Sequence, residues 1–75
     1  MKQLLIDIIT PLVDNPDDIV VVERESGDMT ILELTVAKTD TGKVIGRNGK
    51  IAKSIRTVMR AAASKDNKRV IVDIN

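Results

Sequence analysis

At 75 residues the chain holds one domain, residues 1–75, and its 43% hydrophobic content includes no aromatic residue, so the core is built from aliphatic side chains and methionine. The lack of cysteine excludes disulfides and thiolate metal sites, and the lack of histidine removes the commonest general base, so neither an enzyme nor a metal or other cofactor is expected. The net charge of +1 hides a division: residues 1–37 carry −6 and residues 38–69 carry +8. Such polarity gives a basic face, which is either a solvated lysine-rich helix or the footprint of a polyanionic partner.

From Lys2 to Val13, Leu4, Leu5, Ile8, Ile9 and Leu12 recur at helical spacing and predict an amphipathic helix, with a kink or early end at Pro11. The apolar run is broken by Asp7, is too short to span a bilayer and lacks the leader of a secretory signal, so a cytoplasmic protein without membrane contact is expected. Asp14-Asn15-Pro16-Asp17 reads as a turn. Ile19 to Glu25 and Thr30 to Ala37 read as strands, joined into a hairpin at Ser26-Gly27-Asp28. Asp40 is the expected N-cap of a short helix from Thr41 to Ile45, which stops at Gly46. A longer helix follows, with Ile51, Ile55, Val58, Met59 and Ala62 as its buried stripe and Lys50, Lys53, Arg56 and Arg60 over the rest of its surface. Asp66-Asn67 breaks it, and Arg69 to Ile74 alternates as a last strand. The order helix, strand, strand, helix, helix, strand predicts an α+β fold with three helices on one face of a three-stranded sheet.

The informative stretch is VIGRNGKI, residues 44–51, where two glycines three residues apart sit between helices with cations on both sides. Taken singly, Gly46 is a helix C-cap and Gly49 a helix start. Together they expose a row of backbone N–H groups at the start of a cationic helix, a setting that favours phosphate, with Arg47, Lys50, Lys43 and Lys53 supplying mobile charge. Nucleotide-binding loops fit poorly: a P-loop needs glycine at position 44 and Ser or Thr at position 51, where Val44 and Ile51 stand, and the dinucleotide fingerprint is absent. The carboxylates Asp14, Asp17 and Asp18 read as turn caps and solvated charges, not a metal site.

VIGRNGKIAKSI resembles the signature of KH domains, whose Gly-x-x-Gly loop clamps about four nucleotides of a single strand. The element order resembles the type II KH arrangement. LVDNPDDIVV and GRNGKIAKSIRTVMRAAA extend the likeness along the chain, to the small stand-alone bacterial KH proteins of the KhpA family. The resemblance implies a clamp made of Gly46, Arg47, Asn48 and Gly49, with Ile45 before it and Ile51 after it at apolar positions. It further implies a homodimer, a heterodimer with a larger KH-containing protein, and a role in post-transcriptional regulation or RNA chaperoning linked to cell growth, shape and division. The lack of aromatics agrees, because RRM and OB-fold modules stack bases on aromatic side chains whereas KH domains hold them in an aliphatic groove. Val44, Ile51 and Ile55 are expected in the core rather than in that groove. Single-stranded RNA is thus the expected partner; the alternatives are single-stranded DNA, or a KH-like adaptor that contacts protein.

Overall fold

The computed structural model describes every residue from Met1 to Asn75. Helix α1 spans Lys2–Ile9 and gives way at once to a 3-10 turn, Thr10–Leu12, because Pro11 has no N–H to continue the α ladder. The early end expected at Pro11 is therefore present. A second 3-10 turn, Pro16–Asp18, leads into strand β1, Val20–Ser26. Strand β2, Met29–Thr35, pairs with it antiparallel through a two-residue loop in which Gly27 takes φ 62°, the left-handed backbone that tight hairpins need. Helices α2, Thr41–Ile45, and α3, Lys50–Ser64, form the crossover that returns strand β3, Arg69–Ile74, parallel to β2. The strand order is β1-β2-β3, so β3 is an edge strand.

Side-chain alternation decides which face is covered. Val21, Leu32, Leu34, Val70 and Val72 are buried, whereas Val20, Val22 and Ile71 on the opposite face are 53%, 45% and 43% exposed. The three helices thus lie on one face, as the element order predicts. Helix α3 ends in a Schellman motif: Asn67 stands at φ 56°, its N–H bonds the Ser64 carbonyl at 3.1 Å, and the Lys68 N–H bonds the Ala63 carbonyl at 3.0 Å.

Two expectations are corrected. The buried line of α3 is Ala52, Ile55, Met59 and Ala63, while Ile51 and Val58 are 36% and 48% exposed. The cause lies in α1, whose α-helical part ends at Ile9 and leaves only Ile8 and Leu12 to flank this side of α3. Val44 and Ile55 are in the core as expected, and Ile51 is not.

The second correction concerns Asp40, whose side chain makes no cap bond. A 3-10 turn, Lys38–Asp40, runs directly into α2 and supplies the Lys38 carbonyl to the Thr41 N–H, the first of that helix. The carboxylate instead turns inward, is wholly buried, and accepts from the Asp14 and Asn15 N–H groups at 3.1 and 3.0 Å and from Asn15 Nδ2 at 3.1 Å. Lys43 Nζ stands 3.4 Å from it and also bonds Asp14. Burial acts to raise the Asp40 pKa, but these donors outweigh it and hold the group below its ordinary 3.8. The hydrogen bond to Asp14 is the main cause that raises the Lys43 pKa, with burial opposing it.

A depressed carboxylate pKa stabilises the fold above the ordinary value of 3.8 and loses that contribution as pH falls through the lower folded value. Asp40→Asn, which turns an acceptor into a donor facing backbone N–H groups, should lower Tm at neutral pH by on the order of 10 °C. It should also flatten the loss of Tm on acidification below pH 3.8. Thermal melts of both proteins from pH 7 to pH 2 check this, and parallel pH profiles would contradict it.

Candidate nucleic-acid interface

The connection between α2 and α3 is a closed elbow. The Gly46 N–H ends α2 on the Gly42 carbonyl at 2.9 Å, and the chain then reverses through Arg47–Gly49, a single 3-10 turn. Asn48 and Gly49 take successive left-handed conformations, φ 58° and 73°. Asparagine tolerates that backbone better than other residues with a Cβ. The two glycines are required for different reasons. A Cβ on Gly46, at φ 76°, would lie 2.6 Å from Ile51 Cγ1 and 2.9 Å from the Ile51 nitrogen. A Cβ on Gly49 would meet nothing within 4 Å. Gly46 thus permits the helices to meet, and Gly49 offers a bare left-handed backbone to solvent.

The expected row of free N–H groups is shorter than anticipated. The Gly49 N–H bonds the Gly46 carbonyl at 3.1 Å, and the Lys50 N–H bonds the Arg47 carbonyl. Attraction for an anion therefore rests more heavily on side chains and on the dipole of the long α3. Arg47, Asn48, Lys50 and Lys53 are all exposed, and none of the three cations among them enters a salt bridge. Ile45, 37% exposed, stands at the approach to the loop. Lys43 departs from this group, because its ammonium is drawn back to Asp14 and Asp40, so two carboxylates offset its charge.

Sequence reasoning left Arg56 and Arg60 as general surface of the helix. Lys53, Arg56 and Arg60 follow Gly49 by four, seven and eleven residues, a spacing that lines them along one side of α3. That spacing was the available signal. Arg56 Nε donates to the Val72 carbonyl at 3.1 Å across to β3, and Arg60 Nε donates to the Arg56 carbonyl at 3.3 Å. Between α3 and β3 lies a groove of about 190 Å³ lined by Arg56, Arg60, Val70, Ile71 and Val72. On the other flank of α3 a second groove of about 290 Å³ is lined by Ile8, Leu12, Ile51, Ser54, Ile55 and Val58. No helix is long and apolar enough to cross a membrane.

The glycine geometry makes a graded prediction. Gly49→Ala should cost about 1–2 kcal/mol, the strain of a left-handed residue with a Cβ. Gly46→Ala should cost a further 1–3 kcal/mol or so, because the Ile51 side chain and backbone must also move. Urea unfolding checks the order, and equal costs would contradict the elbow.

Comparison with known proteins identifies the family. The family model described as KhpA/KhpB, KH domain, matches residues 2–74. A protein of Clostridium acetobutylicum named RNA-binding protein KhpA is 58% identical over 74 residues, covering 99% of both chains. Its namesake in Bacillus subtilis is 47% identical over 99% of this chain and 91% of its own length. The one in Caldanaerobacter subterraneus is 51% identical over 99% of both. No solved structure matches. With a full-length family match and relatives this similar, the chain belongs to the KhpA/KhpB family of KH domains.

Proposed function

We propose that the chain is a non-catalytic binder of single-stranded RNA that holds the phosphate backbone at Gly46–Gly49. The observation that carries this reading is the exposed elbow: a bare Gly49 flanked by Arg47, Lys50 and Lys53, none of them held by a carboxylate. The RNA-binding relatives support the choice of ligand. In this account the strand enters over Ile45, its phosphate meets the Gly49 backbone and the Arg47 guanidinium, and its bases lie along α3 toward β3. With no aromatic side chain on which to stack, the bases gain no stacking energy and each domain binds weakly.

Weak single-domain binding gives pairing a purpose, since two linked clamps gain avidity. We infer that the chain self-associates through the apolar groove of α1 and α3, which exposes Ile51 and Val58. Val58 lies about 200° around the helix from both Arg56 and Arg60, so pairing there leaves the basic side open. A heterodimer with a larger KH-containing protein would use the same surface. The setting in post-transcriptional regulation or RNA chaperoning, linked to growth and division, is inferred from the family likeness alone.

Replacing Arg47 and Asn48 together with Asp should lower affinity for single-stranded RNA at least about tenfold, roughly 1.4 kcal/mol, with Tm little changed because both side chains are exposed. Fluorescence anisotropy and thermal melting of the same variant check it. Undiminished binding by a folded variant would favour a protein-contacting adaptor. Wild-type affinity should fall with salt at a log–log slope of about −1.4 to −2.8, from two to four phosphate contacts. Val58→Asp should shift sedimentation at micromolar concentration toward monomer, and an unchanged profile would remove this groove from the account.

A further inference from the structure

The hydrogen bond between Arg56 and β3 carries an inference beyond the clamp, and it rests on the single-stranded RNA reading above. In β3 the Arg69 N–H bonds the Asp28 carbonyl at 3.0 Å, and the Asn75 N–H after the strand bonds the Leu34 carbonyl at 2.9 Å. Odd-numbered residues therefore direct their backbone groups toward β2. Val70 and Val72 direct theirs to the open edge. Arg56 occupies that edge: its Nε holds the Val72 carbonyl at 3.1 Å, which fixes the guanidinium at the wall of the groove between α3 and β3. Neither of its Nη nitrogens has a protein partner, and no carboxylate pairs with it.

A guanidinium held by Nε loses its side-on pair of donors and keeps its end-on pair, the two Nη groups. That pair matches two adjacent acceptors, on a phosphate or on a base edge, and among base edges it discriminates. Guanine offers O6 and N7, and cytosine offers O2 and N3. Adenine sets a donor beside N7, and uracil sets its N3–H between two carbonyls, so each opposes one of the two N–H groups. Arg56 stands seven residues beyond Gly49 on the same side of α3, about 10 Å along the axis, so a strand whose phosphate is held at the elbow passes its following bases across it.

We propose that Arg56 is a specificity-determining residue, reading one base of the bound strand in favour of guanine or cytosine over adenine or uracil. Phosphate contact alone would lower affinity for every sequence together when the residue is changed. Base reading changes the ratio between sequences.

The test measures affinities of wild type, Arg56→Lys and Arg56→Gln for four octaribonucleotides: oligo(C), alternating GU, oligo(A) and oligo(U). Wild type should bind the first two at least about fivefold more tightly than the last two. Both variants should bring all four within about twofold of one another, Arg56→Lys doing so while keeping its affinity for oligo(U), since the charge remains. Ratios are unaffected by any loss of folded protein, so the readout survives a destabilised variant. Equal wild-type affinities, a retained preference in Arg56→Lys, or a uniform fall across all four would overturn the proposal. The Arg47/Asn48 double Asp variant separates the two readings. If it binds all four as wild type does while Arg56→Lys still flattens the ratios, the clamp fails and base reading by Arg56 stands.

Discussion

The close approach of Gly46 to Ile51 is the constraint on which the rest of the molecule depends. With no room for a Cβ between them, α2 and α3 meet at an angle that only a glycine at φ 76° allows. Because α3 starts from that fixed elbow, its azimuth is set from its first turn. Ala52, Ile55, Met59 and Ala63 then face the sheet, Arg56 and Arg60 line the side toward β3, and Ile51 and Val58 fall on the side toward α1. A rotation of α3 by one residue, about 100°, would carry each set off its face. The elbow thus orders basic side, core and apolar groove at once.

Asp40 secures the other side of the elbow. A buried carboxylate is costly unless donors surround it, and here two backbone N–H groups, an amide and an ammonium do so. All but the ammonium come from the Asp14–Asn15 turn, far away in sequence, so the acidic N-terminal part of the chain is tied to the entrance of α2. Lys43 is consumed in this arrangement. The division of charge along the sequence consequently becomes a division in space, with one lysine surrendered to the acidic side and the cations from Arg47 to Arg60 left free of carboxylates.

Much of this was legible in the sequence because local chemistry and global fold agree. Alternating residues in Arg69–Ile74, the break at Asp66-Asn67, Pro11 and the glycine pair each marked an element boundary that the structure contains. What escaped were features set by tertiary contact. Asp40 has the position of an N-cap, but the preceding 3-10 turn supplies the first N–H of α2, and the carboxylate turns to the interior. Ile51 and Val58 fit a buried stripe by spacing, and only the early end of α1 leaves them uncovered. Arg56 gave no sign of its bond to Val72, which depends on where β3 returns sixteen residues later.

The central claim is that one continuous path, from the elbow along the basic side of α3 to the edge of β3, carries the RNA strand. The most direct measurement is an amide NMR titration of the 15N-labelled protein with a single-stranded octaribonucleotide. Shifts should concentrate at Gly46–Lys50, Lys53, Arg56 and Val72, and leave Val22 and Glu33 on the open sheet face unmoved. Shifts centred on that sheet face, with the elbow amides silent, would contradict the account.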